Sequence, residues 1–95
     1  MAGYIIAEVN VTDPVRYEEY RQQVLATIQA YGGAFRVRGG TAEGLEGAPP
    51  AGRLVVIEFP SLEQAKVWYH SQEYAGPKAL RQATSEGRII VVEGV

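Results

Sequence analysis

The sequence predicts an α+β fold of the ferredoxin-like type, with its elements in the order βαββαβ. The main observation is the run Arg53–Phe59, RLVVIEF, whose nearly continuous apolar character is typical of a strand in the middle of a sheet. Two segments with helical periodicity each follow a predicted strand and lead into another one. Because such crossovers are right-handed, the helices are predicted to lie on one face of a four-stranded antiparallel sheet.

The first half of the chain shows a strand followed by a well-delimited helix. Tyr4–Val11 is rich in β-branched residues and ends at a turn signal. Asp13 supplies an N-cap and Pro14 occupies the first helical position, where a missing N–H costs nothing. The helix is expected to end near residue 31, because Gly32–Gly33 provides a C-terminal stop. Its inward face is predicted to carry residues spaced by three and four: Tyr17, Tyr20, Val24, Ile28 and Tyr31.

The middle of the chain predicts a long hairpin. Ala34–Gly40 alternates apolar and charged residues, as a half-buried strand does. Thr41–Gly52 is rich in glycine and proline, and is interpreted either as a flexible hairpin tip or as a functional loop. After the central strand, Ser61 and Gln64 form a capping-box pattern that predicts the start of the next helix.

The last third predicts two helical segments and a final strand. The helix that begins at Leu62 is expected to break near Ser71, because serine favours a new cap and Gly76–Pro77 follows. A short third helix is predicted over residues 77–84, with Gly87 as its stop. The fourth strand is predicted at Arg88–Glu93. The apolar face of the second helix contains Leu62, Ala65, Trp68 and Tyr69.

Composition limits the classes of function. The 95 residues are expected to form one domain, and the net charge of -2 argues against nucleic acid as a partner. The absence of cysteine excludes a disulfide framework and a thiolate nucleophile. No signal-peptide pattern and no apolar run of spanning length is present, so we expect a cytoplasmic protein with no membrane partner.

Strand alternation predicts that the sheet has two different faces. The purely apolar sets of the central strands, which include Ile5 and Ile57, are assigned to the helix side. The other face would combine apolar residues with charged ones. A second copy packed against it would bury the apolar residues and pair the charges. We therefore predict a homodimer formed sheet to sheet. This face is expected to carry Tyr4, Ile6, Glu8, Arg36, Arg38, Leu54, Val56 and Glu58.

Several segments resemble the domain of unknown function 1330 family. They include YIIAEVNVTDPVRYEEY, YGGAFRVRGG, VVIEFPSLEQAKVWYHSQEY and IIVVEGV, and together they cover nearly the whole chain. The resemblance implies a dimeric α+β barrel and no established activity. The wider superfamily of this fold includes cofactor-independent monooxygenases, haem-handling proteins and isomerases, so it indicates the fold rather than a reaction.

Two groups of residues are candidates for chemistry. Glu58 beside Arg36 or Arg38 is a candidate catalytic constellation, as a general base or as an anchor for an acidic substrate. The alternative is an ion pair that sets the register of the dimer. The candidate ligand-binding residues project from the helices toward the sheet, where they could line a pocket. The alternative role for the aromatic ones is ordinary packing in the core. They are Tyr17, Tyr20, Trp68, Tyr69 and Arg81.

Two functional hypotheses remain open. The first is a small enzyme or binder that holds an acidic or aromatic organic ligand between helices and sheet, using Tyr20, Tyr69 and Arg38. The second is a non-catalytic dimeric module. No cofactor is expected, since the sequence has no cofactor fingerprint, and the single histidine excludes a multi-histidine metal site. His70 is predicted to face solvent, with an axial haem role as the alternative.

Overall fold

A computed structural model describes residues 1–95 as four strands and three helices. The strands form one antiparallel sheet in the order β2-β3-β1-β4, so the two predicted central strands are central. This confirms the predicted order of elements and the ferredoxin-like fold. The elements are β1 (Gly3–Val11), α1 (Pro14–Ala30), β2 (Ala34–Arg38), β3 (Arg53–Phe59), α2 (Leu62–Tyr69), α3 (Gln72–Thr84) and β4 (Ser85–Glu93).

The predicted caps start the first two helices. The Asp13 carboxylate accepts a hydrogen bond from the Arg16 N–H at 3.2 Å, with Pro14 in the first turn of α1. Ser61 accepts from the Gln64 N–H at 3.0 Å at the start of α2. None of the three helices has the length and apolar composition needed to cross a membrane.

The third helix is longer than predicted. It begins at Gln72, not at Pro77, because the Ser71 hydroxyl accepts from the Tyr74 N–H at 3.2 Å and caps a new helix at once. Pro77 lies in the second turn of α3, where its missing N–H leaves the Glu73 carbonyl without its helical hydrogen bond. The helix runs directly into β4 at Ser85, and Gly87 lies within the strand instead of stopping the helix.

A bulge in β2 changes which face its residues occupy. Phe35 pairs with Ile57, but the next registered pair is Val37 with Val56, so the register shifts between them. Val37 therefore shares a face with Val56, and Arg38 turns to the helix side. The prediction that Arg36 and Arg38 share a face was wrong for Arg38, because the extra residue breaks the strict alternation of the strand.

The core lies between the helices and one face of the sheet. It contains the apolar sets assigned to that side from sequence, together with the aromatic face of α1 and Trp68 of α2. Phe59 and Trp68 rings pack with centroids 5.3 Å apart. The largest side chains with almost no exposure are Trp68, Tyr74, Phe59 and Ile28.

The opposite side of the sheet, the outer face, is uncovered. A row of four aliphatic residues crosses all four strands in register: Val37, Val56, Ile6 and Ile90. Ion pairs flank this row, with Arg36 Nε 3.0 Å from Glu58 and Arg88 Nη2 3.1 Å from Glu8. The outer face thus has the predicted mixture of apolar and charged residues.

Candidate ligand site between the helices and the sheet

A small cavity lies between α1, α3 and the inner face of the sheet. Its volume is about 30 Å³, which is enough for one or two water molecules. Its walls are mostly apolar and come from β1, β3 and β4. The polar groups that reach it belong to two residue types only, tyrosine and arginine. They are Tyr17, Tyr20, Tyr74, Arg21, Arg38, Arg53 and Arg81.

The three tyrosines form a connected row with an arginine at each end, here called the tyrosine row. Arg53 Nη1 donates to the Tyr17 hydroxyl at 3.4 Å, and the Tyr17 and Tyr20 rings are 5.3 Å apart. The Tyr20 and Tyr74 hydroxyls are hydrogen-bonded at 3.0 Å. Arg81 Nε donates to the Tyr74 hydroxyl at 3.1 Å. Every phenol in the row therefore has a polar partner within the protein.

Trp68 forms an aromatic wall of the cavity. Its ring lies 4.1 Å from the Tyr74 ring, between centroids, and the residue is fully buried. Its indole Nε1 donates to Thr27 Oγ1 at 3.0 Å, and that hydroxyl donates to the Val24 carbonyl at 2.7 Å. Because its only donor is already used, Trp68 can offer a ligand its ring and not its N–H.

The arginines of the cavity lack acidic partners, with one exception. Arg21 pairs with Glu18 at 3.2 Å. Arg38, Arg53 and Arg81 have no carboxylate within 4.0 Å, and no aspartate or glutamate lines the cavity. Three cationic groups without counter-charges next to apolar walls create a positive potential that favours an anion.

Two surface clefts share lining residues with the cavity. The entrance cleft, of about 450 Å³, shares Tyr17, Arg21, Arg38 and Arg53 with the cavity. A second cleft of about 240 Å³ lies beside α3 and β4, and it shares Arg81 with the cavity. Glu18 also lines the entrance cleft, and Glu8 and Glu86 line the second cleft, so only the cavity itself has arginines and no carboxylate in its lining.

Burial controls the ionisation of the phenols. Desolvation, reinforced by the neighbouring Tyr74, raises the pKa of Tyr20 far above its usual value. Desolvation also raises the pKa of Tyr17, although the Arg53 charge opposes that shift. Both phenols are therefore neutral near pH 7 and act through hydrogen bonds, not as bases.

The three candidate catalytic residues are not brought together. Arg36 and Glu58 form their predicted pair on the outer face, while Arg38 lies on the helix side of the sheet. The Arg38 guanidinium stacks 4.3 Å above the Phe35 ring and donates to the Arg21 carbonyl at 3.2 Å. The sheet separates the Glu58 carboxylate from the cavity.

Four of the five candidate ligand-binding residues line the cavity, and Tyr69 does not. Tyr17, Tyr20, Trp68 and Arg81 are in the predicted space. Tyr69 instead lines the clefts beside β4. Its ring lies 4.4 Å beneath the Lys78 Nζ. His70, at the C-terminal end of α2, is exposed as predicted.

Sequence reasoning missed Tyr74, Arg21 and Arg53. The predicted third helix began after Tyr74, which left that residue in a turn. The signal was available, because Ser71 stands three residues before Tyr74 in the position of an N-cap. Arg21 and Arg53 had no such signal, since arginine is an ordinary surface residue both in the middle of a helix such as α1 and at the start of a strand such as β3.

Comparison with known proteins points to one family and to one fold. No curated protein matches the chain. Residues 2–95 match the family described as Domain of unknown function (DUF1330).

Three solved structures share the fold at low sequence identity. The RPA0582 protein of unknown function from Rhodopseudomonas palustris is 17% identical, with a TM-score of 0.77 over 99% of this chain and 82% of that one. SnoaB, a cofactor-independent oxygenase from Streptomyces nogalater, is 9% identical, with a TM-score of 0.66 over 99% and 93%. Rv0793 from Mycobacterium tuberculosis is 17% identical, with a TM-score of 0.56 over 100% and 96%.

Proposed function

The chain belongs to the DUF1330 family, and from this premise we propose that it binds a small organic acid between its helices and its sheet. The observation that carries the proposal is the set of three arginines, Arg38, Arg53 and Arg81, that line the cavity without a carboxylate partner. In a chain of net charge -2, such a concentration of free positive charge favours an anionic ligand.

The chemistry of the lining suits a carboxylic acid with an apolar body. Guanidinium groups bind carboxylates through short, charge-assisted hydrogen bonds, often in a bidentate manner. The neutral phenols of Tyr17 and Tyr20 add hydrogen-bonding groups, and the Trp68 ring offers an apolar surface. Ligand sites commonly combine apolar walls with a few convergent polar groups in this way.

The volumes indicate where the bulk of such an acid lies. The cavity of about 30 Å³ is too small for an organic molecule, whereas the entrance cleft of about 450 Å³ is large enough. Arg38 and Arg53 line both spaces, so an acid in the cleft meets these guanidiniums first. Arg38 is exposed and contacts one carbonyl and one ring, so its side chain can move aside to widen the opening.

The likeness to SnoaB supports small-molecule binding by this fold. SnoaB is described as a cofactor-independent oxygenase, so another protein with this fold acts on a small molecule. At 9% identity the likeness extends to the fold alone. The proposal therefore covers binding and does not include oxygenation.

Thermal unfolding in the presence of small acids tests the proposal. A ligand that binds the folded state increases the free energy of unfolding by mass action, by about 2.7 kcal/mol at a concentration of 100 times Kd, and so raises the melting temperature. We expect shifts with benzoate, phenylacetate or butyrate, and their loss in Arg53→Gln. Arg16→Gln is the matched control, because it removes an arginine of α1 that does not line the cavity. No shift with any acid, at millimolar concentration and low salt, would contradict the proposal.

We also propose that two copies associate through the outer face. The aliphatic row that crosses the sheet is the supporting observation, since Ile90 and Val37 are large apolar residues left exposed on a single chain. This surface equally supports the second candidate function, a dimeric module without a ligand. The small volume of the cavity favours that alternative, and the unpaired arginines favour the first.

A further inference from the structure

We infer that the chain has a second ligand site, which binds a linear aliphatic monocarboxylate in the cleft between α2 and β4. Lys66 and His70 lie on one side of this cleft, and Ile89 and Val91 lie on the other. Its volume is about 280 Å³, and it is called here the α2–β4 cleft. None of the arginines of the cavity lines it, so the inference does not depend on the proposed function.

The floor of the α2–β4 cleft is aliphatic. Ile89 and Val91 lie on the helix side of the sheet, because their partners in β1 are Ala7 and Ile5. Both are only half-buried, and Ile5 and the Tyr69 side chain complete the apolar lining. Since β4 is the last strand of the sheet, no further strand covers this side. A hydrocarbon chain lying here would be removed from water together with the floor.

The α2 side of the cleft carries donors without an acidic partner. Lys66 and His70 are four residues apart, one helical turn, at the C-terminal end of α2. Neither has a carboxylate within 4.0 Å, and no aspartate or glutamate lines the cleft. A carboxylate bound at this side would therefore meet an ammonium and an imidazole that no other group of the chain pairs.

The last carbonyls of α2 do not compete with such a head group. The His70 N–H donates to the Lys66 carbonyl at 3.0 Å, and Lys78 Nζ donates to the Tyr69 carbonyl at 3.1 Å. Lys78 also lies 4.4 Å above the Tyr69 ring and adds a positive charge to this end of the helix. An anion near the end of α2 is thus met by cationic side chains that offset the helix dipole.

Shape and charge together select the class of ligand. One aliphatic floor and one cationic side fit one chain with one carboxylate. The volume is close to the lower limit of about 300 Å³ for ligand pockets, which suits a single chain of medium length. Of the seven lining residues only Ile90 belongs to the outer face, so association through that face would leave the cleft open on its helix side.

Titration with octanoate, followed by proton NMR, tests the inference. His70 is the only histidine, so its imidazole signals report on this cleft. We expect them to shift, with an affinity that rises by up to about fourfold for each methylene added from butyrate through hexanoate to octanoate. Octylammonium, which has the same chain and the opposite charge, should bind about fivefold more weakly or less. Lys66→Gln should weaken octanoate binding by about two- to fivefold, whereas Arg16→Gln on α1 should leave it unchanged.

The outcomes separate this site from the proposed one. Unmoved His70 signals at millimolar octanoate, equal affinities for octanoate and octylammonium, or no gain with chain length would overturn the inference. In Arg53→Gln, octanoate should still shift the His70 signals, and loss of that shift would place the acid in the entrance cleft and overturn the inference. Octanoate binding at His70 without any thermal shift by benzoate would support the inference and contradict the proposed function. The melting temperature of each variant without ligand verifies its fold.

Discussion

The Tyr20 hydroxyl lies 3.0 Å from the Tyr74 hydroxyl, and this hydrogen bond joins α1 to α3 across 54 residues of sequence. Both residues are buried, so bulk solvent does not hydrate either phenol and each depends on partners inside the protein. Arg81 donates to the same Tyr74 oxygen at 3.1 Å. Tyr74 is consequently the shared member of two polar contacts, and the packing of α3 on α1 depends on it.

Removing the Tyr74 hydroxyl should cost more stability than removing that of Tyr20. Tyr74→Phe leaves both the Tyr20 hydroxyl and the Arg81 Nε without this partner, whereas Tyr20→Phe leaves Tyr74 still bonded to Arg81. We expect losses of about 2 kcal/mol and about 1 kcal/mol respectively in the free energy of unfolding, measured by urea denaturation. Tyr4→Phe is the control, because the Tyr4 hydroxyl makes no side-chain hydrogen bond in the protein. Equal losses for Tyr74→Phe and Tyr4→Phe would disprove the shared role.

Stability should fall at alkaline pH because of the buried phenols. Burial raises the pKa of Tyr17 and of Tyr20 above the ordinary value of 10.0. Above that pH the unfolded chain releases phenolic protons that the folded chain retains, so the free energy of unfolding decreases as pH rises. A fully protected phenol contributes a slope of about 1.4 kcal/mol per pH unit.

Urea denaturation at pH 9 to 11.5 measures this slope. Tyr20→Phe removes one of the phenols and should give a shallower decline than the unaltered protein, even though its stability at neutral pH is lower. The difference in slope between the two proteins therefore reports the loss of the Tyr20 phenol and of its hydrogen bond to Tyr74. Identical slopes would mean that Tyr20 ionises as easily in the folded protein as in the unfolded chain.

A charge on the aliphatic row of the outer face should prevent the proposed association. Ile90 lies in this row and is 54% exposed on a single chain, and Val67 on α2 is 51% exposed. We expect Ile90→Lys to convert the protein to a 10.4 kDa monomer and Val67→Lys to leave it at twice that mass. Light scattering coupled to size exclusion at micromolar concentration measures both. A monomeric unaltered protein would refute the sheet-to-sheet dimer.

Two glycines should respond oppositely to alanine. Gly87 in β4 has a φ of +148°, and a Cβ there would overlap the Glu8 carbonyl oxygen of the neighbouring strand. Gly87→Ala should therefore cost about 2 kcal/mol or more, because the β1–β4 pairing must shift. Gly40 lies in the loop after β2, has no positive φ and has open space around it, so Gly40→Ala should stabilise by about 0.4–1 kcal/mol. Thermal denaturation compares the two, and a stabilising Gly87→Ala would contradict the strand geometry.

The fold could be predicted from the sequence because the helix caps and the apolar runs that specify it are local features. Asp13 and Ser61 are side chains that cap their own helices within three residues, so pattern and structure coincide at both starts. The apolar run of β3 likewise predicts a central strand, and the structure places β3 between β2 and β1. The start of α3 was predicted wrongly because two local signals disagreed. The proline at position 77 indicated a start there, whereas the Ser71 cap starts the helix at Gln72.

The candidate site could be predicted only in part from the sequence, because its residues come from separate elements. The spacing of α1 correctly directed Tyr17 and Tyr20 inward, and the periodicity of α2 placed Trp68 there. Tyr74 and Arg53 join them only through the packing of α3 and of the start of β3. A single-residue bulge moved Arg38 from the expected face to the cavity, and no local pattern in AFRVR marks where that bulge falls.

Helix caps and periodicity within a few residues were enough to predict the order of the elements, the central strands and the mixed character of the outer face. The tyrosine row, in contrast, forms only when α1, α3 and the start of β3 pack together, and it contains Arg53, Tyr17, Tyr20, Tyr74 and Arg81. Its hydrogen bonds join residues up to 54 positions apart, so they depend on strand register and helix packing, which a linear pattern does not encode.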